Sequence, residues 1–318
     1  MQQRPLGRSG LHVSRLGLGT MTWGRDTDAD EAADQLRTYL DAGGNLLDTA
    51  DVFGDGDSEA VIGALLDGVV DRDELVISTK AGLRPGTPRR HDNSRLHLLR
   101  ALDASLGRLG TDYVDVWHVH GHDPATPIAE TLAALDTAVS SGRVRYAGVS
   151  NFNGWQTAQA AAVSPTPLIS AQVEYSLLER GVEREVLGAC AALGLGLLAW
   201  SPLGRGVLTG KYRHGVPSDS RGGSEHLERF VAPYLDKRGA GIVEAVATAA
   251  DGLGCSPLVV ALAWIRDRPG VTAPLIGART TGQLLGALAV EKVTLPAQIR
   301  RALDDVSAVR FGYPERQS

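Results

Sequence analysis

Three ionisable side chains, Asp48, Lys80 and His120, each stand at the end of a short β-rich run: GNLLDTA (44–50), ELVISTK (74–80) and YVDVWHVH (113–120). Delivered by successive strands, an acid, a lysine and a histidine make a set with readable chemistry. A carboxylate beside an ammonium holds the lysine charged and in place. A cation held beside an ionisable hydroxyl lowers that hydroxyl's pKa and makes it a better general acid. A neutral imidazole can hydrogen-bond a substrate oxygen and orient it. The hydroxyl is the missing member. It would project from the loop after Asp48, in LLDTADVFGDGDSE (46–59), where the chain has Phe53, a ring with no proton to give. The lysine also stands out, because the chain has only four (Lys80, Lys211, Lys237, Lys292) and arginine cannot substitute as a compact charge. Each residue has a plainer reading: Asp48 as a turn cap, Lys80 as a strand end reaching solvent, His120 as a surface histidine. Their coincidence at matching strand ends favours a site.

The elements that must position them recur in a regular rhythm. Apolar, β-rich runs lie at 15–20, 44–50, 74–80, 113–120, 144–150, 168–175, 195–201 and 272–278. Most are near-continuous in apolar residues, as strands covered on both faces should be. Helical patterns fall between them, at roughly 28–42, 58–69, 95–109, 127–141, 153–163 and 181–193. At 95–109, Ser94 is a cap and Leu99, Leu102, Leu106 and Leu109 give an apolar stripe. Two further helices, roughly 238–252 and 256–267, precede the last strand. Strands repeating roughly every 25 to 40 residues, eight in all, predict an α/β chain forming a (β/α)₈ barrel. A doubly wound sheet is the alternative, but GLGTMTWG after the first strand lacks the third glycine of the dinucleotide fingerprint and opens no helix. RPLGRSGLHVS (4–14) reads as an N-terminal β-hairpin with a Ser-Gly turn that could plug the barrel floor. The stretch 201–236, after the seventh barrel strand, is a long Gly-rich polar loop of the kind that is functional or disordered. No internal boundary is visible, so residues 1–318 are expected to form a single barrel domain.

The bulk numbers narrow the function classes. A formal charge of −5 argues against a nucleic-acid groove. No apolar run approaches the roughly eighteen residues of a membrane span, and MQQRPLGRSG lacks the apolar core of a signal peptide. Cys190 and Cys255 are isolated and read as reduced thiols. A cytoplasmic protein is expected, with no membrane or nucleic-acid partner. No heptad or long apolar face declares an oligomer interface. The segment HVHGH raises a metal-dependent hydrolase, since His118, His120 and His122 alternate on a strand. Gly121 argues that the strand has ended before the third, and no carboxylate set completes a site.

At a larger scale, GGNLLDTADVFGDGDSEAVIG resembles the signature of the aldo-keto reductase family, DTA-x-x-Y-G. VDVWHVHGHDP, GVSNF, AQVEYSLLER, AWSPLGRGVLTGKY and PLIGARTTGQL resemble its later motifs, in order and across essentially the whole chain. The branch it is most similar to includes bacterial oxidoreductases and potassium-channel β subunits. The resemblance implies a (β/α)₈ barrel that binds NADPH/NADP⁺ in extended form and reduces a small-molecule aldehyde or ketone. It makes Asp48, Lys80 and His120 three members of a catalytic tetrad and places the tetrad tyrosine at Phe53. A Tyr-to-Phe variant, natural or introduced, keeps the ring and removes the proton donor, so impaired turnover is implied. A non-catalytic cofactor-binding sensor or regulatory protein is the alternative.

For the cofactor, the resemblance assigns Ser150, Asn151 and Gln172 to the carboxamide and Trp200 to stacking on the nicotinamide. Thr20 and Met21 fall at the nicotinamide ribose, and Ser201, Leu203, Lys211 and Arg221 in the loop over the pyrophosphate. Gly277, Arg279 and Gln283 lie in the segment holding the adenosine end, where a guanidinium suits a 2′-phosphate. Gly286 and Ala287 stand where relatives often carry Glu and Asn, which implies weaker adenine contacts. Trp23, Phe53, Phe152 and Trp155 are expected to line the substrate pocket and to suit apolar or aromatic carbonyls.

Overall fold

The computed structural model describes residues 1–218, 220–225, 227–309 and 312–313. Eight parallel strands close a barrel: β3 (Gly17–Gly19), β4 (Leu46–Asp48), β5 (Val76–Ala81), β6 (Val114–Val119), β7 (Val144–Ser150), β8 (Leu168–Glu174), β9 (Gly196–Trp200) and β10 (Val271–Ile276). Helices alternate with them: α1 (Ala29–Asp41), α2 (Asp57–Leu66), α3 (Arg95–Leu109), α4 (Ile128–Ser140), α5 (Gly154–Val163) and α6 (Val186–Leu193). After β9 come a single turn, α7 (Glu228–Val231), then α8 (Lys237–Leu253) and α9 (Pro257–Arg266). Beyond β10 lie α10 (Thr281–Leu288) and α11 (Ala297–Val306), for which the sequence reading had no counterpart. Every barrel strand is thus followed by helix, which is the (β/α)₈ arrangement.

Local chemistry explains most boundaries. Asp28, Ser94, Asp236, Ser256 and Thr280 cap their helices by accepting a backbone N–H three residues on. In α3 the buried face is Leu98, Leu102, Ser105 and Leu109; Leu102 and Leu109 belong to the predicted stripe, while its other members, Leu99 and Leu106, are half-buried beside Leu98 and Ser105.

An antiparallel hairpin, β1 (Gln3–Pro5) with β2 (His12–Ser14), closes the bottom. Leu6 and Val13, both fully buried, pack with Leu46, Val116, Leu198 and Ala273 under the barrel. The connection is broader than a Ser-Gly turn: Leu6 N–H bonds Leu11 O at 2.8 Å, so residues 7–10 form the loop. Gly7 makes the docking possible. It sits at φ +62°, and a Cβ there would lie 2.3 Å from Ile169 O. Among the described residues, the predicted long loop after β9 contains short helical turns, at Gly204–Thr209, Arg221–Gly223, α7 and Ala232–Tyr234.

Strand register brings side chains into rows. Asp48 pairs with Ser78, and Ser150 with Gln172. Lys80, His118, Gly148 and Ser170 follow one another across β5 to β8.

Candidate active site

At the C-terminal end of the barrel, Lys80 and Asp48 meet. Lys80 Nζ donates to Asp48 Oδ2 at 2.8 Å and to Thr49 O at 2.6 Å, with both side chains almost wholly out of solvent. Burial of such a pair is tolerable only with further hydrogen bonds. Asp48 has them: its Oδ1 accepts from Ser78 Oγ at 3.0 Å and from Gln172 Nε2 at 2.8 Å. Hydrogen bonds from β5 and β8 thus converge on the Asp48 carboxylate and hold the pair in place.

Phe53 stands over this pair. Its ring centre lies 5.3 Å from Lys80 Nζ, and the ring meets that of His120 edge-on at 6.4 Å. The loop carrying it begins with a short turn, Phe53–Gly56, in which Asp55 and the flanking glycines take left-handed backbone. His120 is 9 % exposed, its backbone pinned by Asn151 Nδ2 to its carbonyl at 2.9 Å. Burial, then the charge of Lys80, holds the imidazole well below its usual pKa, so the ring is neutral. Its Nδ1 is buried without a partner, as is Ser150 Oγ. Buried polar atoms without partners mark places where a ligand would complete the set.

The other predicted residues divide. Asn151, at φ +57°, accepts from Trp200 Nε1 at 3.0 Å, so one contact ties two positions assigned to the nicotinamide end. Ser201 follows at φ +50°. Leu203 opens the turn Gly204–Thr209, and Lys211 Nζ lies 3.3 Å from where a Cβ on Gly206 would be. Arg279 and Gln283 are joined, Arg279 N–H donating to Gln283 Oε1 at 2.9 Å, and Gly277 precedes them in the loop after β10. Thr22 and Thr27 tie that loop to the barrel through Ala278 O and Arg279 O at 3.0 and 3.3 Å. Met21 is half-buried, whereas Thr20 is wholly buried and spends its hydroxyl on Asp48 O and Ser58. The side chain of Arg221 lies outside the described residues.

Two pocket expectations need revision. Trp23 is fully buried, its indole N–H on Gln35 Oε1 at 3.1 Å, so it belongs to the core and offers no open wall. Phe152 is only 3 % exposed. Trp155, 56 % exposed, stands at the rim with His122 between them, at ring distances of 5.4 Å to Phe152 and 6.0 Å to Trp155. These edge-on contacts engage the His122 ring, whereas the two ring nitrogens of His118 face Ser78 and Ser170. Among the described residues no group of three His, Cys, Asp or Glu could hold a metal ion.

The sequence reading passed over several residues. Arg205 donates Nε–H to Glu174 Oε1 at 2.8 Å, lies 3.9 Å from the centre of the Phe230 ring, and shares Glu174 with Tyr234 Oη at 2.9 Å. This clasp fastens the segment after β9 to the end of β8. Asp51 was also missed: its Oδ1 is buried without a partner, and burial, then the nearby Glu59, pushes its carboxyl up to about 7. Glu59 itself is fully buried, held by Arg108 at 2.6 Å and Thr79 at 2.6 Å.

A closed eight-stranded barrel with a buried Asp–Lys pair, a neutral histidine and unpartnered polar atoms at the C-terminal mouth is an enzyme architecture. The Aldo/keto reductase family model matches residues 15–308, and the chain belongs to that family. Among its relatives is an uncharacterised oxidoreductase of Bacillus subtilis, 38 % identical over 96 % of each chain. Probable voltage-gated potassium channel β subunits of rice and Arabidopsis thaliana are each 35 % identical, over 99 % of this chain and 98 % of theirs. Membership supports an oxidoreductase function, and the family generally uses a nicotinamide dinucleotide. Among the described residues no single helix is long and apolar enough to cross a membrane.

Proposed function

We propose that this chain binds NADPH across the barrel mouth and reduces aldehydes or ketones to alcohols, with turnover strongly impaired by Phe53. The observation that carries this reading is the contact set of Phe53: its ring lies beside both Lys80 and His120, the two groups that would flank a proton-donating hydroxyl.

The residues present suit the dinucleotide. Ser150 has a buried hydroxyl with no partner, and with Asn151 and Gln172 it would hold the carboxamide, Trp200 stacking on the ring. Thr20 and Met21 would flank the ribose, and Ser201, Leu203, Lys211 and Arg221 the pyrophosphate. Gly277, Arg279 and Gln283 would take the adenosine end, Arg279 suiting a 2′-phosphate. What a bound dinucleotide supplies is a hydride. His120, neutral through burial, orients the carbonyl oxygen by a hydrogen bond. Asp48 holds Lys80 at 2.8 Å so that its positive charge faces the oxygen as negative charge develops. No side chain at position 53 delivers the proton, and losing a positioned general acid costs about 10²- to 10⁴-fold. Phe53, with Trp155 at 56 % exposure, favours apolar or aromatic carbonyl compounds.

Phe53 also supports a second reading, a cofactor-binding sensor or regulatory protein without turnover. NADPH binding followed by fluorescence, then NADPH oxidation with an aldehyde panel for this chain and Phe53→Tyr, separates the two. The reductase reading requires binding by both chains and turnover by Phe53→Tyr. The same reading makes the 318 residues one barrel domain working on small molecules, without nucleic acid or membrane. The free thiols Cys190 and Cys255 support a cytoplasmic setting.

A further inference from the structure

Beneath the Asp48–Lys80 pair, a second layer of polar residues crosses the barrel. His118 is fully buried, and so are Ser78 and Ser170 on either side of it. Its Nδ1 lies 3.3 Å from Ser78 Oγ and its Nε2 2.8 Å from Ser170 Oγ. The neighbouring strand is cut to fit the ring. A Cβ on Gly148 would lie 2.5 Å from His118 Cδ2 and 2.5 Å from Ser170 Oγ, so only glycine leaves room for the imidazole to span from β5 to β8. A buried imidazole needs a partner for each nitrogen; here both are satisfied, and the chain they form leads through Ser78 to Asp48.

The direction of that chain follows from counting protons. Ser78 has one hydroxyl hydrogen, and it goes to Asp48 Oδ1, 3.0 Å away, since a carboxylate only accepts. Ser78 Oγ must then accept from His118, which requires the Nδ1–H tautomer. A neutral ring has one N–H, so Nε2 accepts from Ser170. The ring is neutral at ordinary pH: burial, then the charge of Lys80, pushes it down to about 3. Lys80 and His120 are the other charged or titratable groups acting on it, with Asp48 reached through Ser78.

We propose that His118 is a positioning residue, which aims the Ser78 hydroxyl at Asp48 and thereby fixes the carboxylate that holds Lys80. The effect on turnover rests on the reductase reading; the direction of the chain does not. ¹⁵N NMR of the histidines in the chain as it stands is expected to show His118 as the Nδ1–H tautomer, and Ser78→Ala to displace the ¹³C resonance of the Asp48 carboxyl. An Nε2–H tautomer reverses the chain and overturns the proposal, and so does an Asp48 resonance that Ser78→Ala leaves in place. In the Phe53→Tyr background, His118→Leu and Ser78→Ala are each expected to lower kcat about tenfold while the KM for NADPH and for aldehyde stays within twofold. His118→Asn, which can present an N–H near the place of Nδ1, is expected to recover at least half of the loss. Unchanged kcat in the folded variants counts against positioning. If Phe53→Tyr itself turns over nothing, the reductase reading fails and the tautomer and the Asp48 resonance still decide the proposal.

Discussion

At the scale of single residues, the site is governed by which charges are buried and what meets them. Asp48 carries three side-chain donors and Lys80 two oxygen partners, so both are fully employed where they stand. Asp51 is the contrast, a carboxyl with an orphaned oxygen close to Glu59. Its folded pKa, about 7, lies above the 3.8 of a free aspartate. The folded state therefore binds more protons than the unfolded one between those values, and stability falls as pH rises through that window. Asp51→Asn mimics the protonated form. Its Tm advantage over the parent is expected to grow from pH 4 to about 7 and to level off above, read by thermal melts across that range. A Tm difference flat with pH would show that Asp51 ionises freely in the fold. Nothing in the sequence distinguished Asp51 from any loop aspartate, because its burial and its acidic neighbour depend on how α2 packs over β4 and β5. By contrast, Asp48, Lys80 and His120 were legible, since each ends an apolar run and parallel strands of one barrel deliver their ends to one place.

At the scale of elements, the segment after β9 is where sequence and structure differ most. Its glycines and polar residues read as a long loop, yet Arg205, itself at φ +59°, clasps Glu174 and stacks on Phe230 and Tyr234. These partners lie 25 or more positions away, beyond the reach of local pattern. Arg205→Ala leaves Glu174 without its cation and Phe230 without its stack. NADPH is expected to bind about tenfold more weakly, about 1.4 kcal/mol, and limited proteolysis to cut within 201–236 sooner than in the parent. Unaltered affinity and cleavage would mean that the clasp is not what orders the segment. Trp23 failed as a pocket residue for a similar reason: an aromatic after the first barrel strand can turn outward to the mouth or inward to the core, and Gln35 on α1 takes it inward. Helices α10 and α11 were overlooked because TTGQLLGAL and AQIRRALDDV lie after the last strand, where the repeating rhythm had ended.

At the scale of the molecule, the barrel separates stability from chemistry along its axis. The floor is sealed by Leu6 and Val13 from the hairpin; the mouth holds the polar rows. Removing a large apolar group from a filled floor leaves a cavity, and Leu6→Ala is expected to cost about 2–5 kcal/mol. Chemical denaturation measures that loss, and fluorescence titration with NADPH is expected to give an unchanged Kd. A matching loss of affinity would mean that floor and mouth are coupled. The eight-strand count was legible from spacing alone, because each βαβ unit needs both its strand and its return helix. The His118 layer was not. HVHGH looked like alternate ligands on one strand, and only the register of β5 to β8 reveals Ser78, Gly148 and Ser170 as its partners.

The central claim, that this is a reductase mouth lacking its proton donor, is tested most directly by following NADPH oxidation with aromatic aldehydes for this chain and for Phe53→Tyr, both first shown to bind NADPH. Equal binding with turnover about 10²- to 10⁴-fold faster in Phe53→Tyr is the expected result. Equal binding with no turnover by either chain on any aldehyde or ketone would contradict it and leave cofactor binding without catalysis as the function of the fold.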